Sequence, residues 1–292
     1  MIWWLLALLV PAQASEGPWT TAASTHNIYV GAMAERFECF ETGGSESCMP
    51  TPVAQAGMKV FYRTGIGDST DVALSIPMKS AFAVEPTDSA MFETSTGFGL
   101  IEARVRRHLL TSGNLDLAGG VGLRTGALHY ASRDRITNLG EGSTDVYATL
   151  YFGSMGLALR RFHTTSMDIS YVARIPLQAD TDVGRIPGDE VRASAVCTLA
   201  ITSWMGLGVS ADGFKRLWGE DLNMSTLNAY GDDRWSALRA SQFKVGGRAV
   251  FYPGENRPFL QVSAMTTVWA QNNPVDTTQL EIAAGMDLGG QK

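Results

Sequence analysis

Hydrophobic and polar residues alternate with a period of two through most of the chain. The stretch from Val53 to Met78, VAQAGMKVFYRTGIGDSTDVALSIPM, contains two such runs around a turn rich in Gly, Asp and Ser. Because neighbouring side chains of a strand point to opposite faces, each run has one apolar face and one charged face. The stretch is therefore predicted to be a β-hairpin, and the open question is which face meets the surroundings.

The same alternation recurs to the end of the chain and predicts about twelve strands, with no sustained helical period in competition. Most of them reach the length of about 9–11 residues that a tilted membrane strand needs. The segment SMGLALRRFH is open to a second interpretation as a short helix. The predicted strands are 26–38, 53–63, 70–78, 94–108, 115–129, 144–162, 167–178, 189–201, 205–215, 237–252, 258–270 and 277–289.

Short and long connections alternate between these strands. The short ones are TGIGDS, LLTSGN, HTTS, TSW and PGENRP, and the long ones are CFETGGSESCMPTP, KSAFAVEPTDSAMFE, YASRDRITNLGEGS, ADTDVGRIPG and the stretch 216–236. A further connection on the long side, NNPVDT, is itself short. If the strands run up and down, every short turn lies at one end of the sheet. This asymmetry is typical of outer-membrane barrels, which have short periplasmic turns and longer extracellular loops.

The two faces of the predicted strands differ in charge. One face is apolar, with residues such as Val30, Val121, Leu150 and Ile282. The other carries nine basic and nine acidic side chains, and an apolar exterior around a charged interior is the pattern of a membrane barrel. The predicted lumen-lining residues are Lys59, Arg63, Asp71, Glu102, Arg104, Arg106, Asp116, Arg124, Asp145, Asp168, Arg174, Arg192, Asp212, Lys244, Arg248 and Glu281, together with Glu35 and Asp287.

Composition narrows the class further. The chain has 292 residues, a formal net charge of −6 and 18% charged residues, so no basic patch for nucleic acid is expected. A mean hydropathy near zero excludes a helical-bundle membrane protein. It does not exclude a barrel, because only every second residue of a barrel strand meets lipid.

The N-terminus predicts export. An apolar run from Ile2 to Val10 precedes Pro11 and the small-x-small sequence Ala12-Gln13-Ala14, as in a signal peptide cleaved after Ala14. The predicted organisation is a signal peptide over 1–14, a short periplasmic segment over 15–25 and a barrel over 26–292. The alternative is a buried N-terminal helix.

The cysteines fit an exported protein. Cys39 and Cys48 flank one short loop, and a disulfide between them is predicted, with two free thiols as the alternative. Cys197 lies among the apolar positions of a later strand and is interpreted as a small apolar residue there.

With these patterns, carried by stretches such as VAQAGMKVFY and TQLEIAAGMDLG, the chain resembles outer-membrane β-barrel proteins of Gram-negative-type bacteria. The resemblance covers nearly the whole length after residue 25 and points to no particular member. It implies an all-β fold, namely a single up-and-down antiparallel transmembrane barrel of about 12 strands in contact with outer-membrane lipid. Such barrels often finish on an aromatic residue, whereas this chain ends MDLGGQK.

Two functions stay open on this basis. The first is a narrow porin-like channel for a small polar or charged solute, with the inward charges selecting what enters. The second is a non-conducting structural or adhesive barrel that acts through its extracellular loops. Balanced charges favour ion pairs between neighbouring strands, for example Lys59 with Asp71, while Arg104/Arg106 and Lys244/Arg248 are candidates for a basic stripe that attracts an anionic solute.

Enzyme signatures are sparse. The four histidines, His26, His108, His129 and His163, lack metal-site spacing, and no metal or other cofactor is expected. The stretch FGSMGL is one residue short of the G-x-S-x-G motif and lies within a predicted strand. A membrane hydrolase at the barrel rim is a third hypothesis, and the oligomeric state is left open.

Overall fold

A computed structural model of the protein describes residues 17–42, 44–84, 92–125, 143–158, 161–176, 188–219, 239–253 and 258–288. The predicted signal peptide, residues 1–14, lies outside the described residues. Within the described part of the chain, no helix is long and apolar enough to cross a membrane. The strands are β1 (His26–Thr42), β2 (Ser45–Gly65), β3 (Thr70–Val84), β4 (Phe92–Phe98), β5 (Ile101–Ser112), β6 (Leu115–Thr125), β7 (Ser143–Ala158), β8 (Arg161–Pro176), β9 (Glu190–Ala200), β10 (Met205–Arg216), β11 (Ser241–Phe251), β12 (Phe259–Gln271) and β13 (Thr278–Leu288).

Apart from β4 and β5, strands that follow one another in sequence pair antiparallel, and the ring closes between β1 and β13. The closing register runs from His26 opposite Leu288 to Arg36 opposite Thr278. Strands β4 and β5 pair with successive parts of β3, so they share one position in the ring, interrupted at residues 99–100. The fold is therefore the predicted closed up-and-down barrel with twelve strand positions, and the predicted strand 94–108 is divided in two.

The two ends of the barrel differ. Residues 66–69, 113–114 and 201–204 connect strands at one end, which we call the turn end. His26 and Leu288 lie at this end, so the first and last strands begin and finish beside the short turns. The opposite end, which carries the longer connections, is called the loop end.

The first long connection is not a loop. The stretch CFETGGSESCMPTP was predicted to be a long connection between strands, but β1 and β2 continue through it as a hairpin, with Cys39 opposite Cys48 and Thr42 opposite Ser45. Gly44 has a φ of 92°, a left-handed conformation that favours glycine and allows the chain to reverse tightly. The predicted disulfide between Cys39 and Cys48 is confirmed.

This hairpin extends past the barrel wall. The pairing of β1 with β13 stops at Arg36, and that of β2 with β3 stops at Ala54. Beyond that point the connection between β12 and β13 supports it, because the Asp276 carboxylate accepts hydrogen bonds of 3.0 Å from the backbone N–H groups of Glu38 and Cys39.

The turn between β7 and β8 lies earlier than predicted. Strand β7 ends at Ala158 and β8 begins at Arg161, so HTTS belongs to β8 and SMGLALRRFH contributes to both strand ends. The helical interpretation of this segment is wrong. Thr164 and Ser166 are buried on the lumen side, and polar side chains suit a lumen position as well as they suit a turn.

The apolar face of the opening hairpin is the exposed one. Met58, Val60 and Leu74 are 56%, 46% and 40% exposed, whereas Asp71 and Asp145 are 0% exposed. A soluble protein buries the apolar face of its strands instead. An apolar exterior with buried charges inside matches a barrel whose outer surface meets lipid.

A charge placed midway along the outer face should therefore be costly. Leu150, halfway along β7 and 50% exposed, is a suitable site. We expect Leu150→Arg to destabilise the barrel in lipid bilayers by about 2–4 kcal/mol, as found for Arg at the bilayer midplane. Urea titration of folding into vesicles measures this difference.

The matched control is Leu115→Arg, at an exposed position beside the turn end. Its cost should be only about 0–1 kcal/mol, because arginine near the interface reaches the headgroups. Equal costs at the two positions would contradict the assignment of the outer face.

Candidate functional site

The lumen is the candidate site, and its side chains come from alternate residues of every strand position. The structure places all the predicted lumen residues on the inward-facing side of their strands: Lys59, Arg63, Asp71, Glu102, Arg104, Arg106, Asp116, Arg124, Asp145, Asp168, Arg174, Arg192, Asp212, Lys244, Arg248 and Glu281, with Glu35 and Asp287. Strand alternation alone is enough to group them.

At the turn end, residues before β1 enter the lumen. We call Gly17–Ala23 the N-terminal plug. The Arg106 guanidinium donates hydrogen bonds to the carbonyl oxygens of Gly17 (2.6 Å) and Trp19 (2.9 Å), and pairs with Asp71 at 2.6 Å. Asp71 in turn accepts a 2.9 Å hydrogen bond from the backbone N–H of Thr21. Because Arg106 and Asp71 are both 0% exposed, one buried ion pair holds the plug.

The plug reaches from β2 to β6 and β7 at the turn end. Ala23 forms a bridge with Gly65 at the end of β2, and the Trp19 indole N–H donates to Asp116 on β6 at 3.0 Å. On β7, a Cβ added to Gly153 would lie 2.4 Å from Cδ of Pro18. Glycine at residue 153 is therefore what allows the plug to lie against this wall. Residues 15–25 were predicted to be a short periplasmic segment, and the pattern before residue 26 gave no signal of this contact.

Farther from the turn end, the barrel holds a cavity of about 290 Å³. Its charged lining includes Lys59, Arg104 and Arg192 together with Glu102, Asp168 and Asp212. Charges of both signs therefore face the same small volume.

Aromatic rings form part of the same lining. Tyr29 and Phe61 stack with their centroids 4.7 Å apart, and the Lys59 ammonium lies 5.9 Å from both centroids. The Arg104 guanidinium lies 5.5 Å from the Phe61 centroid. These are cation–π distances, so rings as well as carboxylates stabilise the inward cations.

Glycine on β6 makes room for a further ring. A Cβ added to Gly122 would lie 2.4 Å from Cζ of Tyr147, its partner on β7. The ring thus lies against the β6 backbone, and the Tyr147 hydroxyl donates a 2.7 Å hydrogen bond to Glu102. The Glu102 carboxylate also lies 3.7 Å from Arg104, so this acid is fixed in the wall.

Toward the loop end, four arginines surround a buried carboxylate that the sequence analysis missed. Glu190 is fully buried and pairs with Arg174 at 2.8 Å, with Arg124 and Arg216 at 3.8 Å, and with Arg192. Arg124 also pairs with Asp145 at 2.6 Å. We call these residues the Glu190 cluster. Glu190 shares the inward alternation of Arg192, and this signal was available in the sequence.

The partner of Asp71 differs from the one expected from sequence. Asp71 pairs with Arg106 rather than with Lys59, because the register places Asp71 opposite Gly65 and Lys59 opposite Pro77, six residues farther along β3. Asp116 lies 3.3 Å from His108. Lys244 lies 3.4 Å from Glu35 across the closing strands. Alternation identifies the face, but partners depend on the stagger between strands.

The hydroxyl–histidine–carboxylate group at the turn end does not have the geometry of a hydrolase. Thr111 Oγ1 and Asp116 Oδ1 both approach the same ring nitrogen of His108, Nε2, at 3.1 and 3.3 Å. A nucleophile relay needs the hydroxyl on one ring nitrogen and the acid on the other. This geometry gives no support to the hydrolase hypothesis.

The described residues contain one group with metal-ligand spacing, Cys39, Glu46 and Cys48. The two sulfurs are joined in the disulfide, so neither is available as a thiolate ligand.

No protein-family model and no curated protein matches the chain. Among solved structures, the COG4313 outer membrane channel from Pseudomonas putida F1 is similar, with a TM-score of 0.72 and 12% identity over 95% of this chain and 99% of that one. The translocator domain of the autotransporter NalP from Neisseria meningitidis has a TM-score of 0.46 and 9% identity, over 92% and 90% of the two chains. The NanC porin has a TM-score of 0.45 and 8% identity, over 89% and 100%.

At such low identity, the likeness to the first structure concerns the fold, and it extends over nearly the full length of both chains. The ring of strands closes between β1 and β13, and the face that would be buried in a soluble protein is the exposed one. By its fold, the chain is therefore a closed up-and-down antiparallel β-barrel, similar in architecture to that outer membrane channel.

Proposed function

We propose that this barrel lies in the outer membrane, with its turn end toward the periplasm, and passes a small polar solute through its lumen. The observation that carries the proposal is the cavity of about 290 Å³, in which Lys59 and Arg104 face the same space as Glu102 and Asp212. A lining of both signs suits a zwitterionic or dipolar solute better than an ion of one sign. The similarity in fold to a protein described as an outer membrane channel supports the proposal that a solute passes through the lumen.

Passage would require the N-terminal plug to yield, because it enters the lumen at the turn end. Its attachment is polar and local: the backbone of Gly17, Trp19 and Thr21 is bound by Arg106 and Asp71. Trp19 contributes the largest side chain near the far wall. We therefore assign to the plug the role of a constriction that sets the conductance.

A second candidate function is favoured by the β1–β2 hairpin. Its tip, closed by the Cys39–Cys48 disulfide, extends past the barrel at the loop end. A rigid projection of this kind suits contact with an external partner, and the plug and the Glu190 cluster would then brace a sealed barrel. Recordings in planar bilayers separate the two functions: a folded protein that gives no current steps at any voltage would contradict passage.

Removing the Trp19 side chain should enlarge the constriction. We expect Trp19→Ala to raise the single-channel conductance, because the indole and its hydrogen bond to Asp116 no longer occupy the turn end. Trp204→Ala is the matched control, since this ring is exposed on the short connection between β9 and β10. Equal conductance in the Trp19→Ala variant and the unmodified protein would exclude the plug as the constriction.

Removing one cation from the lumen should alter ion selectivity. Arg124 lines the cavity and belongs to the Glu190 cluster. At a distance of about 8 Å in water, a unit charge contributes about 0.5 kcal/mol, so Arg124→Ala should shift the permeability ratio toward cations by roughly twofold. Reversal potentials in a KCl gradient measure the ratio.

Arg107→Ala serves as control, because Arg107 is exposed on the outer face beside Arg106. Identical permeability ratios in the Arg124→Ala and control variants would show that ions do not pass this part of the lumen.

A further inference from the structure

Arg248 differs from the other cations of the lumen. It lies on β11 with 5% of its surface exposed, and its three guanidinium nitrogens reach no hydrogen-bond acceptor within the described part of the chain. By contrast, Lys244 on the same strand and face lies 3.4 Å from Glu35, and Arg106 is bonded to Asp71. The cations proposed from sequence for a basic stripe were Arg104, Arg106, Lys244 and Arg248. Among them, Arg248 is the one that has no ion-pair partner in the described part of the chain.

The acid next to Arg248 in the register does not neutralise it directly. Arg248 lies opposite Ser263, and Ser263 lies opposite Glu281. Among the described residues, no ion pair within 4.0 Å joins Arg248 to Glu281 or to another carboxylate. The guanidinium therefore interacts with the Glu281 carboxylate only beyond ion-pair distance, across the intervening strand β12.

Four neighbouring polar groups share this condition. Thr198 Oγ1, Ser210 Oγ, Tyr252 OH and Gln261 Oε1 are buried atoms without a hydrogen-bond partner in the part of the chain that the structure describes. They lie on consecutive strands: Thr198 on β9 opposite Gly208, Ser210 on β10, Tyr252 just after β11 and Gln261 on β12. Gly208 itself lies opposite Arg248. The five groups thus form one patch of the inner wall.

Such a patch destabilises the folded protein unless a ligand forms hydrogen bonds with its polar groups. A buried hydrogen-bonding group without a partner destabilises the folded protein, and a charged group without one does so more strongly. Native proteins contain few such groups, and they require an explanation when they occur together. We propose that the patch around Arg248 is a binding site for an oxyanion, that is, a carboxylate or phosphate group of a solute.

The chemistry of the patch selects an oxyanion. A guanidinium presents donors in a planar fork that matches two oxygens of a carboxylate or phosphate. The hydroxyls of Ser210, Thr198 and Tyr252 supply further donors. The anion comes from solution and not from a lipid headgroup, because these side chains face the lumen while Val209 and Val262 on the same strands face outward.

The site is distinct from the cavity, since none of its five residues lines that volume. The anion site deepens the proposed function and rests on it in one respect. An anion bound at the site would be a solute that passes through the lumen. Binding can be measured without conduction, so failure of one proposal leaves the other to be judged separately.

The test is isothermal titration of the full-length, detergent-folded protein with inorganic phosphate and, separately, with acetate. We expect saturable binding of at least one anion, and about tenfold weaker binding to Arg248→Gln, because charge-assisted hydrogen bonds are lost. Preference for acetate or for phosphate identifies the oxyanion, and either supports the site. Binding of neither anion overturns the proposal.

Lys244→Gln is the matched control, because it removes a cation from the same strand and face that already pairs with Glu35. Its affinity should equal that of the unmodified protein. Equal affinity in Arg248→Gln would place the anion elsewhere, for instance at the Glu190 cluster, and overturn the proposal. Should Arg248→Gln not fold, as judged by heat-dependent gel mobility, Tyr252→Phe removes one donor instead, and unchanged affinity in that variant also overturns it.

Discussion

Closure of the sheet between β1 and β13 is the constraint on which the rest of the structure depends. A bilayer offers no water to satisfy exposed backbone groups, so strands can cross it only as a ring without edges. Once the ring is closed, alternation divides every strand between lipid and lumen. The exposed apolar surface at Val121 or Ile282 and the buried charge at Asp145 are two results of this one constraint.

Inside the ring, charges must find partners because water is scarce and burial of a lone charge is costly. The lumen charges are partnered in three ways along the length of the barrel. At the turn end, Arg106 and Asp71 bind the backbone of the N-terminal plug. In the middle, cations lie against carboxylates and aromatic rings. At the loop end, Glu190 is shared among arginines. The cavity, the plug and the Glu190 cluster are thus consequences of neutralising charge in a narrow cylinder.

The sequence predicted the class of fold because its signal is local. The alternation of Val72, Leu74 and Ile76 with Asp71, Ala73 and Ser75 needs no knowledge of other strands. The same logic identified the inward charges and, from the two cysteines beside one loop, the disulfide. Errors arose where composition was ambiguous: polar residues such as Thr164 were interpreted as turn, although a lumen position also selects polar side chains.

By itself, the sequence determined that strands alternate between an apolar and a charged face and that their connections are short on one side. Which charges meet was decided only by the tertiary structure, because stagger between strands brings Arg106 to Asp71 and leaves the Arg248 guanidinium without a hydrogen-bond partner among the described residues. The position of the N-terminal plug was likewise decided only by the tertiary structure. Its contacts join residues far apart in the chain, such as Trp19 and Asp116, 97 positions apart, and no local pattern encodes contacts that exist only once the ring has closed.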